Sequence, residues 1–289
     1  GFDRPIIWYM GHLIQTSKPR HPGNIIGFDD ETHLSRLKHL VKNVSEYSRK
    51  ISGPEVIFLP IDEADDDYQD YQGKRQSITP LLLKTIKEAG GKTMLTTSKY
   101  DQFGRPDYLA SGEFNEKELH NARGNGAKYY AYNNDVTTSC NNPAYARYIY
   151  GYYTWKNNID GMSSWTFQNT QNASGLPTKA DVHGRDIFLA YPDPKGPFAT
   201  LKWEAVREGI DDHKLVYQIQ KRIQRLKEKG IDSSRYERFL DDIRKKAGFS
   251  DGCNFNEDQK GLNTSFFYQN RDNLLSMILD AEAKLKHLN

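Results

Sequence analysis

Two cysteines in 289 residues, Cys140 and Cys253, stand far apart with no partner at C-x-x-C spacing, which excludes a disulfide framework and a thiolate zinc site. They read as two separate thiols, with a single bridge between them as the alternative. The eight histidines include no H-E-x-x-H, and none lies close to a cysteine, so a zinc hydrolase has no support. No G-x-S-x-G elbow, G-x-G-x-x-G or G-x-x-x-x-G-K-[ST] occurs. The chain has no apolar run of about 18 residues, so no membrane span is expected. Charge of one sign is missing too, with 40 basic against 38 acidic residues. Nothing therefore calls for nucleic acid. The basic run Lys221–Lys229 carries Ile223 and Leu226 at helical spacing, which marks it as a solvated helix face. Asp65, Asp66, Asp67 and Asp70 lack the spacing and turn glycine of a calcium loop and read as a solvated loop. No cofactor and no metal are expected.

An initiator methionine and a signal-peptide pattern are both absent from G-F-D-R-P-I-I-W-Y-M-G. The expectation is a chain that begins inside a longer product, with further domains N-terminal to it. The three sequons at Asn43, Asn172 and Asn263 are compatible with secretion, although chance explains them better. A secreted or periplasmic location is favoured.

Aromatic residues are plentiful, at 12% with 18 Tyr and 4 Trp, and their rings suit both core packing and stacking on sugar faces. Strand and helix patterns alternate along the chain. Strands are expected at 5–10, 55–61, 92–98, 106–111, 128–133 and 161–167, and a further short one at 186–192. Helices are expected at 30–51, capped by Asp30 or Thr32, at 81–89 behind Pro80, at 115–123 and at 143–157. This alternation argues for a parallel sheet, either doubly wound or a (β/α) barrel. The missing nucleotide motifs and the long loops after strand ends, 64–78 and 168–184, favour the barrel, whose catalytic loops lie at the C-terminal face. The expected fold is an α/β (β/α)8 TIM-type barrel, incomplete at its N-terminus because only six of its strands are visible. Residues 1–203 form the barrel domain. Residues 204–289 form a C-terminal helical extension, with helices at 204–230, at 233–248 capped by Ser233, and at 263–288.

The stretch F-L-P-I-D-E-A-D-D-D, 58–67, runs from a strand buried on both faces into carboxylates. Asp62 and Glu63 at such an exit are partly withdrawn from water, the condition that suits a general acid. A capping or salt-bridging pair is the alternative. Successive strand residues point to opposite faces, so both carboxylates can meet one substrate only if the chain already twists out of the sheet at Asp62.

The segment 188–215, F-L-A-Y-P-D-P-K-G-P-F-A-T-L-K-W-E-A-V-R-E-G-I-D-D-H-K-L, resembles the closing part of the catalytic barrel in glycoside hydrolase family 123 and its uncharacterised bacterial relatives. Those proteins carry Tyr-Pro, then a helix reading roughly R-W-E-x-x-R-x-G-x-x-D. Here Lys202 replaces the first Arg, while Trp203, Glu204, Arg207, Gly209 and Asp212 are kept. The resemblance extends back through R-Y-I-Y-G-Y-Y-T-W-K-N-N-I-D-G-M-S-S-W, 147–165, to the Asp62-Glu63 pair, and covers most of 55–220.

What this resemblance implies is a retaining hydrolase of N-acetylhexosaminides, β-N-acetylgalactosamine favoured, working by substrate assistance. The substrate's 2-acetamido oxygen attacks the anomeric carbon in place of an enzyme nucleophile. Glu63 would protonate the leaving oxygen and later activate water. Asp62 would orient the acetamido N–H and stabilise positive charge. The relatives continue the pair as D-E-P, whereas this chain reads D-E-A, which puts substrate specificity in doubt. Trp165, at the end of the last strand, would floor the sugar subsite, with Tyr132 and Asn133 at the end of the strand before. Trp8 and Tyr9 are weaker candidates of the same kind, and core packing is the alternative for these aromatic residues. Arg207, Gly209 and Asp212 are expected to be structural. Two other readings stay open: a carbohydrate-binding or scaffold barrel without turnover, and a conventional glycosidase acting on 2-hydroxy sugars.

Overall fold

A computed structural model of the chain describes residues 5–10, 31–64, 69–71, 74–112, 114–132, 142–164, 189–191, 196, 198–247 and 264–286. Asn133, Cys140, Trp165 and Cys253 lie outside the described residues. The chain divides into two compact units, Gly1–Tyr132 and Asn133–Asn289.

Apolar runs of four or five residues make the strands of the first unit: β1 (Ile6–Tyr9), β2 (Val56–Leu59), β5 (Lys92–Thr96), β6 (Tyr108–Ser111) and β7 (Lys128–Tyr132). Each pairs in parallel with the next along the chain, in the order β1-β2-β5-β6-β7. Between β2 and β5 the chain forms a short antiparallel hairpin of β3 (Gln69–Tyr71) and β4 (Lys74–Gln76). The strand order follows the sequence without reversal, so this sheet has no topological switch point and is not doubly wound. Such singly wound order is what a (β/α) barrel requires. The fold is mixed α/β.

Helices α1 (Glu31–Lys50), α2 (Thr79–Glu88) and α3 (Glu116–Gly124) belong to this unit. Leu37 and Val41 of α1 and Leu82, Leu83 and Ile86 of α2 bury against Met10, Phe58, Ile61 and Leu95. Each such fully buried side chain contributes about 1.5–3 kcal/mol. Pro80 sits in the first turn of α2, where its missing N–H costs nothing. Asn115 caps α3 by accepting the Glu118 N–H at 3.1 Å. Asp107 ties β5 to β6 below the sheet, accepting from the Thr93 N–H at 2.9 Å and the Thr93 hydroxyl at 2.7 Å. Burial works against the Asp107 charge, but these bonds and Lys92 outweigh it and hold the carboxyl below its usual range.

The second unit is mostly helical. Pro143–Tyr148 (α4) passes into a π-helical turn, Ile149–Tyr153, and then into Thr154–Lys156 (α5). The Thr154 hydroxyl donates to the Ile149 carbonyl at 2.7 Å, five residues back, inside this widened turn. A short strand β8 (Gly161–Ser163) and the antiparallel pair β9 (Ala190–Tyr191) and β10 (Phe198–Ala199) precede α6 (Leu201–Glu228), α7 (Ser234–Lys246) and α8 (Thr264–Lys286). The core gathers Tyr148, Tyr152 and Trp155 with Val216, Ile219 and Leu226 of α6 and Phe267 and Leu274 of α8.

Helix α2 begins at Thr79, two residues before the expected Leu81, and two further helix starts differ in their caps. Helix α6 begins at Leu201, three residues before the expected Glu204, because the Thr200 side chain caps it by accepting the Trp203 N–H at 3.2 Å. At α7 the Ser233 hydroxyl turns to the Glu237 carboxylate at 3.3 Å instead of capping, and Asp232 accepts the Ser234 N–H at 2.9 Å. Helix α4 and its π turn share a core with α6, so they group with the C-terminal helices.

Candidate active site

The exit of β2 is built from a buried, half-buried, exposed, buried pattern over residues 61–64. Ile61 and Ala64 are 4% and 0% exposed and both pack into the core beneath α1 and α2. Between them Asp62 is half-buried and Glu63 exposed. Strict alternation along a strand would have sent neighbouring side chains to opposite faces. The chain instead bends at Asp62 and Glu63, and Glu63 takes a left-handed backbone, φ 51°. Ile61 and Ala64 are buried at either end of this bend, and Asp62 and Glu63 between them keep access to solvent.

A left-handed conformation costs a non-glycine residue about 1–2 kcal/mol. Four described non-glycine residues have positive φ, and Ser52, Arg105 and Asn158 are all polar turn residues away from this strand end. Strain of this kind persists where the surroundings over-determine the backbone, often at sites of chemistry. Here the anchors are Ile61 and Ala64.

Register separates the aromatic candidates by face. Trp8 pairs with Phe58 and Tyr9 with Leu59. Trp8 packs on Phe58, ring centroids 5.9 Å apart, on the face covered by helices. Leu59 lies on the opposite face with Ile57, Met94, Tyr108, Ala110, Tyr130 and Tyr132. Tyr9, in register with Leu59, shares that face and is 43% exposed. Tyr9, Tyr132 and the Asp62-Glu63 pair therefore stand at the same, C-terminal end of the parallel strands. Trp8 stands on the other side of the sheet. Trp165 and Asn133 fall outside the described residues.

Below Tyr132 on the same face lies Tyr130, which the sequence reading passed over. In K-Y-Y-A-Y the period-two alternation places Tyr130 with Tyr132 and sends Tyr129 to the other side. Tyr130 lies 5.9 Å from Tyr108 between ring centroids. The Tyr108 hydroxyl donates to the Glu55 carboxylate at 3.2 Å. Burial, with the Glu55 charge beside it, pushes the Tyr108 phenol up to about 12.

The family-like helix motif has a physical role in the second unit. A Cβ on Gly209 would stand 3.0 and 3.1 Å from the Arg147 backbone C and Cα, and closer still to the Arg147 carbonyl oxygen. Only glycine permits this crossing of α4 and α6. Asp212, one turn on and fully buried, receives two bonds from Arg147, at 2.6 and 3.0 Å, and two from Arg271, at 3.0 and 2.8 Å. Glu208 contacts both guanidinium groups. Arg207, by contrast, is exposed and pairs with Glu204 at 3.0 Å on the surface.

Among the described residues no group of three or more His, Cys, Asp or Glu could hold a metal ion, and no helix is long and apolar enough to cross a membrane. No curated protein matches the chain. The family model described as "Glycoside hydrolase 123, catalytic domain" matches residues 24–219, about two thirds of the sequence. That span contains the Asp62-Glu63 exit, the sheet from β2 onward and the Gly209–Asp212 helix motif. The chain thus belongs to glycoside hydrolase family 123 and is a glycoside hydrolase.

Proposed function

We propose that the chain cleaves β-N-acetylhexosaminides, with N-acetylgalactosamine favoured, with retention and by substrate assistance. Glu63 is the general acid and base. Asp62 orients the 2-acetamido group and stabilises the positive charge of the oxazolinium-like intermediate. The observation that supports this reading is the bend at Asp62-Glu63, where two adjacent carboxylates, one half-buried and one exposed, follow a buried strand. Substrate assistance needs two carboxylates with different tasks and no enzyme nucleophile. The half-buried Asp62 suits a fixed orienting role, and the exposed Glu63 suits exchange of protons with a leaving group and then with water. Tyr132 and Tyr9 are proposed to contact the sugar from the face they share with Leu59, and Asn133 and Trp165, outside the described residues, are kept as proposed sugar contacts. The proposal includes closure of the singly wound sheet into a (β/α)8 barrel, which puts the strand ends around one site.

The test of the acid is leaving-group dependence. Glu63→Gln should lower turnover of alkyl glycosides by roughly 10²–10⁴-fold, the scale of lost general acid catalysis. Aryl glycosides with activated leaving groups should lose much less. Equal losses on both would remove Glu63 from that role.

A further inference from the structure

A pocket of about 450 Å³ opens in the second unit, bounded by Trp155 of α5, Gln220, Ile223 and Gln224 of α6, and Leu240, Asp241 and Arg244 of α7. Its volume lies within the range of small-ligand sites, about 300–1,000 Å³. We propose that this pocket is a second, non-catalytic saccharide-binding site. The proposal rests on family membership and not on the assignment of Glu63 and Asp62.

The floor is apolar and aromatic: Trp155, Ile223 and Leu240 are 7%, 8% and 7% exposed. The rim is polar; Gln224 donates to Glu228 and Glu237 pairs with Lys227, while other rim groups are uncommitted. Gln220 and Asp241 are exposed side chains with no hydrogen bond or ion pair among the described residues. Arg244 makes no ion pair there and lies over the Trp155 ring, 4.8 Å from its centroid. The indole N–H of Trp155 is buried with no hydrogen-bond partner among the described residues, a donor left over in a structure that pairs nearly all such groups.

The chemistry of this set selects a neutral polyhydroxylated ligand. The Asp241 carboxylate accepts from a hydroxyl, the Arg244 guanidinium donates to one, and the Gln220 amide does both. The negative charge of Asp241 and the positive charge of Arg244 balance, and the remaining acid, Glu237, is already paired with Lys227. Neither an anion nor a cation is favoured. An apolar floor under hydroxyl-reading groups suits a sugar ring, whose faces are apolar and whose edge is a row of hydroxyls. In a glycoside hydrolase such a site would hold a sugar unit of the substrate chain away from the scissile bond.

The test uses the whole chain labelled with fluorotryptophan and carrying Glu63→Gln, so that nothing is consumed. An N-acetylhexosamine disaccharide and a 2-hydroxy disaccharide are titrated separately while the Trp155 fluorine resonance, assigned with Trp155→Phe, is followed. At least one sugar should shift that resonance saturably with a dissociation constant of about 1 mM. Asp241→Ala with Gln220→Ala should weaken this shift at least tenfold, while the same pair in the wild-type background should leave hydrolysis of a small aryl glycoside unchanged. A Trp155 resonance unmoved by either sugar, or moved equally in the Asp241→Ala, Gln220→Ala protein, would overturn the site. Because the readout is binding, its outcome is separable from whether Glu63 and Asp62 perform the chemistry.

Discussion

Replacing Gly209 with Ala adds one methyl group where α4 and α6 cross with their backbones in close approach. The new Cβ would meet the backbone of Arg147, not the flexible end of a side chain, so α4 and α6 must move apart. Overpacking of this kind costs about 1–3 kcal/mol. The displacement also pulls Arg147 away from Asp212, which it now holds through bonds of 2.6 and 3.0 Å in a buried network. Leaving a buried charge short of its partner costs about 3–5 kcal/mol when the partner is removed outright. Arg271 still reaches Asp212 at 2.8 Å, so only part of that loss applies. A total of about 3–4 kcal/mol follows, and at about 2–4 °C per kcal/mol the melting temperature should fall by roughly 10 °C. Calorimetry of the purified variant measures it. Gly124→Ala is the control, since a Cβ there meets nothing within 4 Å. A Gly209→Ala protein that melts within about 1 °C of wild type would refute the reasoning, because neither the overpacking nor the ion-pair contribution could then be present.

Glu63→Gly removes the left-handed strain as well as the carboxylate, so the protein should become inactive yet melt a few degrees higher, for a gain of about 1 kcal/mol; destabilisation in the melting curve would mean that the Glu63 side chain, not its backbone, holds the turn. Alkaline unfolding should follow the buried phenols. Burial raises Tyr150, and burial with Glu55 raises Tyr108 to about 12. Their folded values lie above the ordinary 10, so their contribution is complete below pH 10 and lost as pH rises towards 12. Phenolate absorbance and circular dichroism should change together in that window, and full ionisation with the helices intact would contradict it.

The β2 and β5 strands were legible because short apolar runs bounded by Gly, Pro and polar residues admit few other readings. Helices α1 and α6 were legible through their apolar stripes. The β3–β4 hairpin was not, since Gln69–Tyr71 and Lys74–Gln76 carry no apolar alternation to mark a strand. The π turn at Ile149–Tyr153 lies inside a segment that reads as ordinary helix, and its Ile149 and Tyr152 pack into one core with α6, a tertiary contact that the local sequence does not display. Of the proposed site, the Asp62-Glu63 pair stands out in sequence through its place at a strand exit. The left-handed Glu63 does not, because it follows from burying both Ile61 and Ala64, a tertiary condition. Trp8 and Tyr9 looked equivalent in sequence, and only the pairing with Phe58 and Leu59 assigns them to opposite faces. Asp212 and Gly209 were recognisable as a motif, but their partners Arg147 and Arg271 lie 65 and 59 residues away from Asp212.

The most direct test of the central claim is the rate on two matched aryl glycosides, a β-N-acetylgalactosaminide and the β-galactoside that differs only at C2, measured with wild type and with Asp62→Asn. If the acetamido group is the nucleophile, wild type turns over the first and leaves the second nearly untouched. Asp62→Asn then lowers the first by roughly 10²–10³-fold, the scale of one lost charge-stabilising contact. A cyclic thiazoline mimic of the intermediate should also inhibit far more tightly than the product sugar. Comparable hydrolysis of the β-galactoside, without thiazoline inhibition and with Asp62→Asn affecting both substrates alike, would contradict substrate assistance.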